Sequence, residues 1–143
     1  MRVLVETEFA GTPFAEIGQS AIAAALREDD ELRGIVAERD GEIVGVAVYG
    51  RVAGALGAAK LYLLAVTAAA RLRGVGRCLC DTAVDELARD GARLVVAELP
   101  EIPGLLAGRE LLGRCGWEVE GRVDDCFADG VPLLLMRRGI LPE

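Results

Sequence analysis

The spacing of apolar and polar residues divides the chain into short strands and helices. Arg2 to Val5 reads as a strand. After Gly11-Thr12-Pro13, residues Phe14, Ile17, Ala21, Ala24 and Ala25 recur at helical spacing, which predicts a helix over Pro13–Arg27, with Thr12 as its cap and Pro13 at its first position. Glu28-Asp29-Asp30-Glu31 follows as an acidic, solvated stretch. Gly34–Glu38 and Glu42–Tyr49 are β-rich runs on either side of Asp40-Gly41, a dipeptide that suits the positive φ angles of a tight hairpin turn. A loop over Gly50–Gly57 leads to Lys60–Val66, whose nearly continuous apolar character predicts a strand buried on both faces.

The periodicity turns helical after Thr67. Val75, Leu79, Thr82, Ala83, Leu87 and Ala88 fall on one stripe, and Gly91 supplies a left-handed stop. Arg93–Leu99 is a further strand, Pro100–Gly104 a loop, and Leu105–Cys115 a helix stopped by Gly116. Glu118–Asp125 and Val131–Arg138 are the last strands, with Asp129-Gly130 turning between them. This order predicts an α/β fold, a mixed central β-sheet flanked by helices, with residues 1–143 as a single domain.

Composition removes several kinds of chemistry. The chain has 143 residues, 52% apolar and 27% charged, enough for one core without disulfide or metal staples. It has no histidine and no asparagine, and Ser20, Gln19 and Lys60 are each the sole residue of their type, so Ser-His-Asp and Cys-His catalysis are excluded. The net charge of −7 opposes binding to nucleic acid, which needs a surplus of Lys and Arg to displace counterions. Cys78, Cys80, Cys115 and Cys126 lack paired C-x-x-C spacing, so no metal site is expected. Glu6 interrupts the amino terminus before a signal-length apolar core develops, and no run of about 18 uncharged apolar residues follows. The expectation is a cytoplasmic protein with reduced thiols and no membrane partner.

The motif that carries chemistry is Arg71-Leu72-Arg73-Gly74-Val75-Gly76-Arg77, between the buried strand and the long helix. Glycines at 74 and 76 let the backbone turn sharply and aim consecutive N–H groups at one point. The positive end of the helix and three arginines add to an anion pocket suited to phosphate. A Walker A loop is excluded because Gly76 is followed by Arg77-Cys78. A dinucleotide fingerprint is disfavoured by Leu79 in the place of the third glycine and by the preceding hairpin.

The same stretch resembles the GNAT superfamily of N-acetyltransferases. In that family an apolar strand ending in valine and four intervening residues precede Arg/Gln-x-x-Gly-x-Gly/Ala, as Leu64-Ala65-Val66, Thr67 to Ala70 and Arg71 to Gly76 do here. Leu111-Leu112-Gly113-Arg114-Cys115-Gly116-Trp117 is similar to the family's aromatic-x-x-x-Gly-Phe signature, and Phe127 to Arg138 to its closing hairpin. The likeness spans residues 35 to 138. It implies a GNAT-like fold with acetyl-CoA or another acyl-CoA as co-substrate, in a cleft where the central strand and the next one splay apart. The backbone of Leu64, Ala65 and Val66 would pair with the pantetheine amides, and Arg71, Leu72, Arg73, Gly74, Val75, Gly76 and Arg77 would hold the pyrophosphate. The implied activity is N-acyl transfer to a small-molecule amine or a peptide amino group, with a homodimer as the family's guide to assembly.

Direct attack by an amine on a thioester asks the protein to position two substrates and to take a proton. Glu98, near the end of the strand after the glycine-loop helix, is the candidate base, and a solvated strand-end charge is the competing reading. Glu101 and Tyr62 are weaker candidates, Tyr62 because a tyrosine on a central strand is more often a core residue with a satisfied hydroxyl. The resemblance places Leu112 where the family usually has a tyrosine that protonates the departing thiolate, and Pro100-Glu101-Ile102-Pro103 where an asparagine is frequent. A noncatalytic acyl-CoA-binding module is therefore the alternative to the enzyme. Cys115 reads as a buried apolar filler. Glu6, Glu8, Glu16 and Glu28–Glu31 would make an acidic rim that attracts a cationic amine.

Overall fold

Asp40 and Gly41 adopt φ angles of 52° and 81°, the consecutive left-handed pair that a two-residue hairpin turn requires. They fold β1 (Leu32–Arg39) back on β2 (Glu42–Arg51), so both strands run longer than the apolar pattern predicts. The computed structural model describes residues 32–70 and 74–140. The strand predicted at Arg2–Val5, the helix at Pro13–Arg27 and the acidic stretch Glu28–Glu31 lie outside the described residues.

β3 (Ala58–Val66) pairs antiparallel with β2, and helix α1 (Val75–Arg89) carries the chain back to β4 (Leu94–Pro100), which runs parallel to β3. A parallel neighbour requires such a crossover. A 3-10 turn over Pro103–Leu105 and helix α2 (Leu106–Arg114) lead to the closing hairpin of β5 (Glu118–Ala128) and β6 (Val131–Gly139). The six strands form one mixed sheet in the order β1-β2-β3-β4-β6-β5. Pro100 is the last residue of β4, opposite Leu133, and not the first of a loop as the sequence predicts; a strand end tolerates a residue with no N–H.

Both helices stop in the same way. Gly91 and Gly116 have φ of 91°, and the N–H groups of Gly91 and Ala92 return to the carbonyls of Ala88 and Leu87. Those of Gly116 and Trp117 return to Gly113 and Leu112. These paired bonds are Schellman caps, which only a residue without Cβ adopts at low cost.

The core lies between one face of the sheet and the two helices. Leu79, Ala83 and Leu87 of the predicted stripe face it together with Cys80 and Val84, whereas Thr82 is exposed. The stripe is thus rotated toward Cys80 and Val84, and the helix approaches the sheet closely at Gly45. A Cβ on Gly45 of β2 would lie 2.7 Å from Leu79 Cδ1 and 3.2 Å from Val75 Cγ1. Ala47, Tyr49, Leu61, Val95, Ala97, Leu134 and Met136 fill the same layer from the sheet. Each large apolar side chain buried there contributes roughly 1.5–3 kcal/mol. Val46, Val48, Leu63 and Ala65 are buried on the opposite face, which accounts for the continuous apolar run of β3.

Candidate active site

The parallel pairing of β3 and β4 is short. Ala58 faces Leu94, Ala59 faces Val95 and Lys60 faces Val96; β3 then continues to Val66 and β4 to Pro100 with no further cross-strand pair between them. β4 stays paired with β6 along its whole length, and β3 with β2 through Gly45 and Val66. The two strands therefore diverge beyond Lys60 while each stays anchored on its outer side. A wedge opens whose β3 wall includes Leu64, Ala65 and Val66. One irregularity marks this wall: Val48 pairs with Leu63 and Tyr49 with Leu61, which leaves Tyr62 as an extra residue, a β-bulge.

After β3 a 3-10 turn over Ala68–Ala70 precedes helix α1, whose start at Gly76 packs beside Val66, the last residue of β3. Gly74, at φ 80°, precedes its first turn as an N-cap with no side chain to cap it, and no acidic residue lies in that turn. The first helical hydrogen bond runs from the N–H of Cys78 to the carbonyl of Gly74, so the N–H groups of Val75, Gly76 and Arg77 precede the intrahelical ladder. Among the described residues, a Cβ built on Gly74 would meet nothing within 4 Å, so none of them crowds this side of the turn. Free N–H groups and the helix dipole fit an anionic group such as a phosphate.

The two glycines of the motif do different jobs. Gly74 supplies the left-handed turn. Gly76 is helical, and a Cβ on it would lie 2.6 Å from Leu111 Cδ2 and 3.5 Å from Val66 Cγ2. The end of β3, the start of α1 and α2 therefore meet at Gly76, which joins the wedge to the helix start. Arg77 is exposed and lies beside Asp81 on the same helix, Nε to Oδ2 3.7 Å. Arg71, Leu72 and Arg73 lie outside the described residues.

Glu98 sits across the wedge on β4. Val95 and Ala97 belong to the core, so Glu98 projects from the opposite face of the sheet, as does Lys60, the neighbour of core residues Ala59 and Leu61. Lys60 Nζ lies 3.1 Å from Glu98 Oε2, with side chains 24% and 40% exposed, and 5.0 Å above the Tyr62 ring. Tyr62 is 38% exposed, which corrects the core reading of this residue: the bulge turns it out of the alternation. Glu101 pairs with Arg122, 3.2 Å away, toward the closing hairpin. Sequence reasoning left Lys60 as a plain strand residue. Its rarity was the available signal, but pairing with Glu98 depends on a strand register that spacing along the chain does not reveal.

Leu112 is 4% exposed and belongs to the core with Trp117, Cys80 and Cys115. Burial pushes the Cys80 thiol up to about 12, the neighbouring Cys115 contributing further, and burial also raises Cys115. Cys115 is thus the buried filler that the sequence suggests. Among the described residues the buried Trp117 indole N–H has no hydrogen-bond partner.

A sequence model described as the acetyltransferase (GNAT) family matches residues 4–117. The chain belongs to this family. Among solved GNAT-like structures, a GNAT-family protein from Desulfovibrio desulfuricans superposes with a TM-score of 0.81 at 24% identity, covering 89% of this chain and 81% of its own. A ribosomal-protein-alanine N-acetyltransferase from Brucella melitensis gives 0.71 at 23% identity, over 95% and 87% of the two chains. An aminoglycoside 6'-N-acetyltransferase complexed with coenzyme A gives 0.71 at 16% identity, over 96% and 97%. No curated protein sequence matches the chain. These structures share the GNAT fold with this acetyltransferase. Among the described residues, no helix is long and apolar enough to cross a membrane.

Proposed function

We propose that this chain is an acyl-CoA-dependent N-acyltransferase that moves an acetyl group from acetyl-CoA to a small-molecule amine or a peptide amino group. The observation that carries the reading is the divergence of β3 and β4 beyond Lys60, beside the start of a helix whose N-cap is the left-handed Gly74. The bound co-substrate supplies the activated acyl thioester. The backbone of Leu64, Ala65 and Val66 lines one wall of the wedge and suits the amide groups of a pantetheine arm. Residues 71–77, with the N–H groups of Val75, Gly76 and Arg77 at their centre, hold the pyrophosphate, which also meets the positive end of α1.

Glu98 is the carboxylate on the wedge wall opposite β3, and it takes the proton that the attacking amine must lose. An alkylamine is mostly protonated at neutral pH, so this transfer precedes attack. Lys60 contacts Oε2 of Glu98, which leaves the other carboxylate oxygen to take the proton. Leu112 cannot donate to the thiolate. A thiol with an ordinary pKa near 8.5 is a tolerable leaving group without such help, and the expected result is a slow enzyme.

Calorimetric titration with acetyl-CoA, followed by thiol release against a panel of amines, tests this reading. Binding at micromolar to millimolar acetyl-CoA with amine-dependent thiol release is expected. Absence of binding at millimolar acetyl-CoA overturns it. Binding without release would assign the noncatalytic acyl-CoA-binding module, the reading that the buried Leu112 favours.

A further inference from the structure

The sheet face away from α1 carries a matched pair of opposite charges at the mouth of the wedge. Lys60 and Glu98 lie on the sheet face away from α1, Lys60 in the last register pair before the strands separate and Glu98 two residues beyond its partner Val96, with Nζ and Oε2 3.1 Å apart and both side chains partly open to solvent. Neither charge is locked. A partly exposed ion pair of this kind is weak, so it exchanges readily for equivalent partners. The Lys60 stem is held at the bulge, where its ammonium stands over the Tyr62 ring, and four rotatable carbons let the head swing away from Glu98.

From this arrangement we infer that the site selects an acceptor carrying a carboxylate close to its amine. The inference rests on the acyltransferase reading above. A plain cationic amine that engages Glu98 brings a second positive charge beside Lys60, with one carboxylate shared between the two. An acceptor with its own carboxylate restores the balance: its ammonium meets Glu98 and its carboxylate meets Lys60, each in a charge-assisted hydrogen bond. Lys60 is then a specificity-determining residue. Two sources share this chemistry, a free amino acid and a peptide amino terminus followed by an acidic side chain.

The test uses the full chain loaded with CoA for binding and with acetyl-CoA for turnover. The matched probes are L-phenylalanine and L-leucine against 2-phenylethylamine and isoamylamine, and amidated Ala-Glu-Ala peptide against amidated Ala-Gln-Ala. The carboxylated member of at least one pair is expected to bind more tightly by about tenfold or more. The amino-acid and peptide arms tell the two sources apart. In Lys60→Met that advantage disappears, with KM for the carboxylated acceptor rising about tenfold while KM for acetyl-CoA stays the same; Lys60→Arg restores the advantage. Equal or tighter binding of the plain amines to the wild-type chain overturns the inference, as does a preference that survives Lys60→Met. Failure to bind CoA at all overturns the acyltransferase reading instead, and the melting temperature of each variant shows whether it is folded.

Discussion

Leu111 occupies the space that a side chain on Gly76 would need, with its Cδ2 2.6 Å from the point where a Cβ would stand. This contact couples the first turn of α1 to α2 and holds the helix start against the end of β3. In a helix, replacing glycine by alanine normally stabilises by about 1 kcal/mol. Here the added methyl must displace Leu111, and overpacking of this kind costs about 1–3 kcal/mol.

Gly76→Ala is therefore expected to lower stability by about 1 kcal/mol, and Gly76→Ala/Leu111→Ala to lose less than the sum of the two single changes. Denaturant unfolding of the four proteins in the cycle measures the coupling. Additive losses would mean that the contact carries no strain.

Gly74 responds differently. Its φ of 80° suits glycine, and aspartate is among the residues that tolerate this region at a cost of about 1–2 kcal/mol. Gly74→Asp places a carboxylate at the uncapped start of α1, where it competes with any anion. The expected outcome is a folded protein whose affinity for acetyl-CoA falls by at least about tenfold, the scale of a lost charge-assisted hydrogen bond. Calorimetry on a variant whose melting curve remains cooperative checks this.

Much of the architecture is legible along the chain because the signals are local. Asp40-Gly41, Gly91 and Gly116 each mark a backbone position that needs positive φ, and each sits where the sequence predicts a turn or stop. What is not legible depends on contacts distant in sequence. The closeness of Gly76 to Leu111, the ion pair of Lys60 with Glu98 and the outward turn of Tyr62 all depend on strand register and helix docking. The glycine loop looked like one anion cradle, whereas its two glycines divide between a turn and a packing contact.

Leu112 is in the core, and its carbonyl receives the Trp117 N–H that closes the α2 cap. Restoring the family's aromatic donor with Leu112→Tyr is therefore expected to destabilise the chain by about 1–3 kcal/mol through overpacking, without raising kcat. Thiol-release kinetics and thermal melts on the same preparation test this, and a faster folded variant would show that this position reaches the wedge.

Alkaline pH should unfold the protein through its buried acids. Cys80 is raised from an ordinary 9.0 to about 12, and burial also raises Cys115 and Tyr49, whose hydroxyl donates to Glu86. Between the unfolded and folded values the native state binds more protons than the unfolded chain. The Cys80 contribution is complete below about pH 9 and declines toward pH 12, by at most about 1.4 kcal/mol per pH unit. Stability measured from pH 8 to 11 is expected to fall, and Cys80→Ala to flatten the slope; an unchanged slope would assign the loss to other groups.

The central claim is that an anionic acyl carrier lies in the β3/β4 wedge with its phosphates on the first turn of α1. Titration of the purified full chain with acetyl-CoA, alongside Gly74→Asp, tests it most directly. The account predicts saturable one-to-one binding to the wild-type chain, weakened at least about tenfold in the variant. Equal affinity in the two proteins, or no binding at millimolar acetyl-CoA, would contradict it.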